Sequence, residues 1–467
     1  MTRAVPPGVT LAVLAVSVCG YSLGSTQLLP ALPHLQVAFH ASPGATAWVF
    51  TAYLLVSAPA TPLAGRLGDM YGRRPVLVAV LTVFLLASIG AALAHNLPEL
   101  IAWRALQGLG GAIVPLAYGV VADVMPERRV ALGLSVLGAM LAAGGSGGLL
   151  LGGFIVLHAP VSVIFWISAG FGVIGVVGTL LSVPGATVRA PGTLDLWGAA
   201  MLAVGLVAPL IGVSLAPRWG WGDPRSLSLF ALGLVVLPLW WRLQSGRPAA
   251  LVDTALLARR PIAATILATL MMGFGLFGAF SLVPQLAQAP VAFGGLGLTA
   301  LGAGVLMLPT ATVNAVMAPV VGLVSRTHGS KAPLLAGAVV AALGLAWLSA
   351  RHNGPIAIAV GCGVLGVGFA ASLAAAPNII VGWTPKDRTG AALAANTLAQ
   401  NLGSSIGSQV GVSIVASRIG ADGLISPGYT WAFGVAAAMA AVGAVLAALV
   451  VEPAVLAVPD VLVKPLS

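Results

Sequence analysis

The chain has 467 residues, of which 59% are hydrophobic and 7% are charged, and its formal net charge is +10. Ordinary soluble domains carry roughly 25% charged residues, so a soluble protein of this composition would have to expose large contiguous apolar patches. The basic residues stand singly or in pairs between apolar stretches, which is typical of a membrane protein and argues against nucleic-acid binding.

Polar residues divide the chain into fourteen apolar segments, most of them close to the roughly 20 residues that a membrane-spanning helix needs. The predicted fold is therefore an all-α polytopic membrane protein with 14 transmembrane helices. The predicted spans are residues 8–36, 44–64, 76–95, 98–122, 131–157, 160–183, 195–216, 226–242, 261–286, 297–321, 333–350, 354–382, 389–417 and 428–451.

The distribution of Lys and Arg predicts the orientation, because these residues accumulate in cytoplasmic loops. A cytoplasmic N-terminus places 16 basic residues on that side and four outside, so we expect both termini in the cytoplasm. The 16 are Arg3, Arg66, Arg73, Arg74, Arg128, Arg129, Arg189, Arg242, Arg247, Arg259, Arg260, Arg326, Lys331, Lys386, Arg388 and Lys464. The four are Arg218, Arg225, Arg351 and Arg418.

An internal repeat divides the chain into halves. The segment Gly65–Gly72 recurs as Gly322–Gly329, at an offset of 257 residues, and Pro126–Arg129 recurs as Pro385–Arg388, at an offset of 259. We therefore predict a six-helix bundle over residues 1–185, an inserted helix pair over 186–258 and a second six-helix bundle over 259–467. Duplicated bundles around a central site are typical of alternating-access transporters.

The loop between the second and third spans is a candidate gate. Gly65 and Gly72 permit a tight turn, and Asp69 and Arg73 carry opposite charges four residues apart. With Arg74 and Asp123 they could hold helix ends together when one membrane face is closed. The alternative is a solvated turn with ordinary cytoplasmic arginines.

Arg104 lies inside the fourth span, where a charge costs about 2.5–3.5 kcal/mol on insertion scales. It should therefore face the bundle interior with a partner. Its functional role would be to relay protons or hold an anion, while the alternative is an arginine that braces helices through backbone carbonyls.

The fifth span contains glycines four residues apart at Gly144, Gly148 and Gly152, followed by Gly153. Such a stripe allows very close helix packing, with or without a role in gating.

No acidic residue lies near the middle of a predicted span, so we expect neutral or weakly anionic apolar substrates rather than multivalent cations. The remaining titratable candidates for proton coupling are Asp69, Asp123 and His34.

Polar and aromatic side chains within the spans are candidates for the substrate cavity, although each could instead make an interhelical hydrogen bond. They are Tyr21, Thr26, Gln27, Tyr53, Asn314, Asn396 and Gln400.

Several motifs resemble those of the major facilitator superfamily. GRLGDMYGRR at 65–74 is similar to its loop signature, WRALQGLGG at 103–111 to its fourth-span signature, and Ala31-Leu32-Pro33 to the end of its first-span motif. The inserted pair, which opens with LDLWG at 194–198, resembles the 14-helix drug:proton antiporter branch of the EmrB/QacA type. The resemblance covers essentially the whole chain.

The resemblance implies two six-helix bundles around a cavity that opens alternately to each side of a bacterial cytoplasmic membrane. It implies export of drugs, antibiotics or secondary metabolites, exchange with protons, a relay role for Arg104 and Gln107, and a packing role for Gly108. Two departures stand out: Leu149 replaces the proline of the antiporter signature, and Gly24 stands where this branch commonly carries an aspartate.

No phosphate-binding loop and no nucleophile–base pair stands out, so neither ATP drive nor an enzyme is expected. Neither of the two cysteines suggests a disulfide or metal site, and no cofactor is predicted.

The expected partners are a small-molecule substrate, protons and membrane lipid, with no nucleic acid, and the protein is expected to be a monomer. The main alternative is a lipid or lipid-conjugate transporter, and a third possibility is a non-transporting receptor.

Overall fold

A computed structural model describes residues 6–41, 43–185, 195–245, 254–385, 388–418 and 423–451. Throughout those ranges the regular structure is helical. The α-helices are α1 Pro7–Thr26, α2 Leu32–Ala38, α3 Pro43–Tyr71, α4 Arg73–Ala92, α5 Leu97–Gln107, α6 Ile113–Val124, α7 Glu127–His158, α8 Ser162–Ser182, α9 Leu196–Trp219, α10 Pro224–Gln244, α11 Thr254–Leu257, α12 Arg260–Gln288, α13 Ala300–His328, α14 Lys331–Ala350, α15 Pro355–Trp383, α16 Thr389–Ser417 and α17 Ser426–Ala448.

Within the described residues, twelve helical segments are long and apolar enough to cross a membrane. The predicted all-helical polytopic membrane protein is thereby confirmed. Helices α9 and α16 are also long, with 24 and 29 residues, but lie outside that set of twelve. The predicted count of 14 spans therefore stays a prediction.

Several residues used for the sequence predictions fall outside the described ranges. They are Arg3, Arg189, Leu194, Arg247, Lys386 and Lys464.

Two predicted spans are interrupted. The predicted span 8–36 ends as α1 at Thr26 and continues as a 3₁₀ turn and α2, since Pro30 lacks the N–H that would extend the helix. The predicted span 98–122 is α5 and α6 joined by a 3₁₀ segment, Gly108–Ala112. A Cβ at Gly108 would lie 2.3 Å from the Tyr53 carbonyl oxygen, so only glycine permits this contact with α3.

Buried side chains gather into separate cores. One lies mainly among α12, α13, α14, α15 and α17, and another mainly among α1, α4, α6 and α7. A small cluster around Leu202, Leu206 and Trp240 joins α9 and α10. We name α1–α8 the first group and α11–α17 the second group, with α9 and α10 beside them. The two groups also contact each other, since α7 packs against α13 and α3 packs against α16.

The glycine stripe of α7 packs against α1. A Cβ at Gly144 would lie 2.4 Å from the Cys19 carbonyl oxygen, and a Cβ at Gly152 would lie 2.0 Å from that of Gln27. Gly148 has an equally close neighbour in Thr26, and Gly153 is buried. These contacts bring the two helix backbones together where any side chain would separate them.

Candidate functional site

The motif residues of the predicted gate meet at one end of the bundle, here named the Arg73 end. Arg73, at the start of α4, forms ion pairs with Asp69 on α3, at 3.2 Å, and with Asp123 on α6. Its Nη1 also donates to the carbonyl oxygen of Gly119, at 2.8 Å. One guanidinium thus joins three helices of the first group.

Asp69 also reaches across to the second group of helices. Its carboxylate accepts from the backbone N–H groups of Gly390 and Ala391, at 3.2 and 3.1 Å, in the first turn of α16. The first N–H groups of a helix have no partner within the helix, so they favour a negative charge nearby. Asp69 is buried against them, at 4% exposure. The carboxylate therefore fastens α3 to α16 at the Arg73 end.

Two glycines shape this junction. A Cβ at Gly65 would lie 2.8 Å from the Gly390 carbonyl oxygen, and Gly72 has φ 93°, which favours glycine. Arg74 points elsewhere, because its Nη2 donates to the Leu180 carbonyl oxygen on α8 at 2.7 Å. The structure thus brings the other predicted gate residues together and places Arg74 beside them.

Arg104 is fully buried. Its Nε donates to the Val49 carbonyl oxygen and its Nη1 to that of Gly24, each at 3.2 Å, while the guanidinium carbon lies 4.3 Å from the centre of the Tyr53 ring. Its Nη1 also donates to Gln107, and its Nη2 has no hydrogen-bond partner among the described residues. Arg104 thus braces α1, α3 and α5 through backbone carbonyls.

Gln107 continues this buried network into α4. Its Nε2 donates to the Ser88 hydroxyl at 2.7 Å, and Gln107 is itself fully buried. Gly24, which stands where an aspartate was expected from the resemblance, contributes only a carbonyl oxygen to Arg104.

A cavity of about 250 Å³ lies between the two groups of helices. Four of the predicted cavity residues line it, namely Tyr21, Thr26, Tyr53 and Gln400. The lining residues of α1, α12 and α16 lie away from the Arg73 end, at which Asp69 joins α3 to α16.

Three other predicted cavity residues lie outside this lining. Gln27 is fully buried, and its Nε2 donates to the Ile164 carbonyl oxygen at 2.9 Å and to the Ser168 hydroxyl at 2.7 Å. Its amide therefore holds the end of α1 against α8. Asn314 and Asn396, at 0% and 3% exposure, are likewise absent from the lining.

The lining has two chemically different parts, of which the sequence prediction named only Gln400. Phe277, Phe280 and Phe369 form an aromatic cluster, with ring centroids 5.0 Å apart for Phe277 and Phe369 and 6.0 Å apart for Phe280 and Phe369. The polar part comes from one face of α16, and its spacing of three or four residues is the signal that would have revealed it. Its residues are Thr397, Gln400, Asn401, Ser404, Ser405, Ser408 and Gln409.

No charged side chain occurs among the described residues that line this cavity. His34, a candidate for proton coupling, is exposed on α2 and does not line it. In the described part of the chain, no three His, Cys, Asp or Glu residues are grouped so that they could hold a metal ion. The cavity can therefore bind a molecule through apolar contact and neutral hydrogen bonds.

Comparison with known proteins identifies related chains. The family model of the Major Facilitator Superfamily matches residues 14–360 and 266–462. The chain is 28% identical over 418 residues to the tetracenomycin C resistance and export protein of Streptomyces glaucescens, covering 89% of this chain and 77% of the relative. It is 31% identical over 304 residues to the multidrug transporter protein MdtP of Bacillus subtilis, covering 65% and 55%.

Among solved structures, the human organic anion transporter MFSD10 (TETRAN) is similar with a TM-score of 0.68 and 18% sequence identity. The match covers 95% of this chain and 99% of that protein. At this identity the likeness concerns the fold alone.

Proposed function

The chain belongs to the major facilitator superfamily of membrane transporters, and from that premise we propose that it exports small, uncharged hydrophobic or amphipathic compounds by alternating access. Family membership confirms the prediction of a transporter rather than an enzyme. The compounds that we propose are drugs, antibiotics or secondary metabolites, and exchange with protons drives their export.

The observation that carries this proposal is the uncharged cavity between the two helix groups. A molecule with an apolar body can pack against Phe277, Phe280 and Phe369, while its polar edge hydrogen-bonds to Gln400 and its neighbours on α16. A permanent cation would lose its hydration there without gaining a carboxylate partner. The names of the two relatives, an antibiotic exporter and a multidrug transporter, support the same substrate class.

The proposed architecture is the 14-helix arrangement of the EmrB/QacA branch in a bacterial cytoplasmic membrane, with α9 and α16 counted as spans. Both termini then lie in the cytoplasm, and the Arg73 end is the cytoplasmic end. The chain divides into bundles over 1–185 and 259–467 with the pair 186–258 inserted between them, and it acts as a monomer surrounded by lipid. Two observations support this arrangement. One core lies mainly among α12–α15 and α17 and another mainly among α1, α4, α6 and α7, which favours the two-bundle division, and the Lys/Arg distribution favours the orientation.

In the proposed cycle, the Asp69 contact with α16 closes the cytoplasmic end while substrate leaves from the other side. Opening toward the cytoplasm requires that Asp69 release Gly390 and Ala391. Protonation of Asp69 would remove the charge that these N–H groups and Arg73 stabilise, so proton binding there would favour opening. Asp69 is thus the proposed proton-responsive group, given the uncharged lining.

In the proposed mechanism Arg104 and Gln107 relay movement from the cavity to the helices whose carbonyl oxygens Arg104 binds. Tyr53 lines the cavity and also lies against the Arg104 guanidinium, so a ligand that moves Tyr53 would move Arg104 and the α1 and α3 carbonyls bound to it.

The proposal is tested with purified protein in liposomes, loaded with a neutral fluorescent hydrophobic dye under imposed pH gradients of either sign. We expect dye movement that depends on the gradient. The variant Ser25→Trp, which adds bulk to the cavity, should lose it, whereas Leu343→Trp on an exposed surface of α14 should retain it. Dye that stays in place under every gradient, while labelled lipid crosses the bilayer, would support a lipid transporter instead.

A further inference from the structure

Helix α9, the first of the inserted pair, lies across the junction between the two helix groups. It packs against α3 of the first group and α16 of the second. Its buried Leu202 and Leu206 share a cluster with Leu63 of α3 and with Leu398 and Leu402 of α16. Beyond its far end, the Trp221 Nε1 donates to the Ser413 hydroxyl on α16 at 3.1 Å.

The two inserted helices differ in how much they bury. Helix α9 has a continuous buried face that includes Leu206 and Ala216, at 2% and 0% exposure. In the apolar membrane-spanning stretch of α10 only 17% of the residues are buried, and Leu234 is 76% exposed. A pair that only connected two bundles would not need such a buried face on one member.

The buried face of α9 reaches the cavity. Leu210 and Val213, three residues apart and therefore on one side of the helix, both line it together with α3, α12 and α16 residues. This part of the lining belongs to neither proposed six-helix bundle, because α9 is the element that bridges α3 and α16 at this position.

We propose that α9 forms a side wall of the substrate cavity, and that Leu210 and Val213 set the largest apolar body that it accepts. This inference rests on the proposed function for the identity of the ligand but not for the position of the wall. It assigns the inserted pair a part in substrate selection: bulkier side chains at 210 and 213 exclude bulky neutral molecules and leave small ones unaffected.

The position of the wall is tested first, without any substrate. In a background with Cys19→Ala and Cys362→Ala, single cysteines replace Leu210, Val213 or, as a control, Leu234. Leu210 and Leu234 both lie about 14 Å along their helices from the turn that joins α9 to α10, so depth is matched. A water-soluble maleimide should label the cysteines at 210 and 213 at least about tenfold faster than the control, because the hydrocarbon core holds no water.

Selection is then tested with Val213→Trp and the control Leu234→Trp, using binding of one large and one small neutral dye. We expect Val213→Trp to weaken binding of the large dye about tenfold while the small dye stays within about twofold, and Leu234→Trp to change neither. If Val213→Trp does not yield monodisperse protein, Leu210→Phe replaces it.

The outcomes separate the two proposals. Labelling at 210 and 213 as slow as at 234 overturns the side wall, whatever the transport assay shows. Fast labelling with equal weakening of both dyes, or of neither, overturns the size selection. Fast labelling and selective weakening in a protein that moves no dye would leave this inference standing and refute export.

Discussion

The carboxylate of Asp69 has partners in both helix groups, Arg73 in the first and the α16 backbone in the second. We predict that Asp69→Asn weakens closure at the Arg73 end, because a neutral amide loses the ion pair and the favourable interaction with the helix start. Charge-assisted hydrogen bonds contribute about 1.5–3 kcal/mol, so the open population should rise at least about tenfold. The measurement is the labelling rate of a cysteine at Ala394, which is fully buried.

Asp123→Asn is the matched control for this prediction. Asp123 pairs with the same Arg73 but makes no hydrogen bond or ion pair with the described residues of α16. It should therefore change labelling at position 394 much less than Asp69→Asn does. Equal rates in the two variants would mean that the contact between the halves does not depend on the Asp69 charge.

A second residue-scale prediction concerns Arg104, whose planar guanidinium binds carbonyl oxygens on two different helices. Lysine keeps the charge but cannot reproduce that forked geometry. If bracing is the main role, Arg104→Lys should lower the thermal unfolding midpoint nearly as far as Arg104→Gln and should lose transport. A lysine variant with normal transport would instead indicate that the charge alone matters.

The environment of a single residue could be predicted where one free-energy cost dominates, such as the cost of placing a charge in a membrane span. A charge in a span must find partners, so the burial of Arg104 followed from its position. Gln27 shows the opposite case: its amide could have faced the cavity or a neighbouring helix, and only the location of Ile164 and Ser168 decides. Such choices depend on which helices pack against each other, and a single sequence does not reveal that.

At the scale of helices, the α1–α7 contact gives a prediction with an internal control. Gly152→Ala places a Cβ 2.0 Å from the carbonyl oxygen of Gln27, directly after α1, whereas a Cβ at Gly147 meets nothing within 4 Å. Overpacking costs about 1–3 kcal/mol, while Ala in place of Gly favours a helix by up to about 1 kcal/mol. Gly152→Ala should lower the thermal unfolding midpoint in detergent, and Gly147→Ala should leave it unchanged or raise it. Identical midpoints would show that α7 does not pack on α1 through this face.

The positions of the helices could be predicted from the polar residues that separate the apolar segments, and the predicted span 389–417 coincides with α16. The interruptions did not follow from it, because hydropathy does not register a 3₁₀ segment. Pro30 and Gly108 are local signals for those breaks, but Gly108 acquires its significance from the approach of Tyr53 on another helix. The polar face of α16 was readable in principle, since its residues recur every three or four positions.

At the scale of the molecule, the 257–259 residue offset predicted duplicated halves before any contact was known. What the repeat could not predict is how α9 and α10 pack, because in the proposed division these two helices have no counterpart in either half. The position of α9 against α3 and α16, and with it the side wall of the cavity, emerges only from the folded arrangement.

Alternating access makes a final prediction about the two halves. At the Arg73 end, a Cβ at Gly322 on α13 would lie 3.1 Å from the Ser135 Cβ on α7, near the roughly 3.5–4.5 Å that joins disulfide-bonded cysteines. In the background without Cys19 and Cys362, the pair Gly322→Cys and Ser135→Cys should form a disulfide that holds this end closed. Dye transport should then stop under oxidation and return with reductant, while dye binding persists.

The matched control is Gly344→Cys with Val364→Cys, which would place two Cβ atoms 3.3 Å apart within the second group, on α14 and α15. A disulfide there restrains one rigid body internally and leaves the junction between halves free, so transport should continue. If both cross-links stop transport, the cycle requires deformation inside a bundle. If neither does, with cross-linking verified by mass spectrometry, the α7–α13 contact at the Arg73 end does not separate during transport, and the alternation must occur elsewhere.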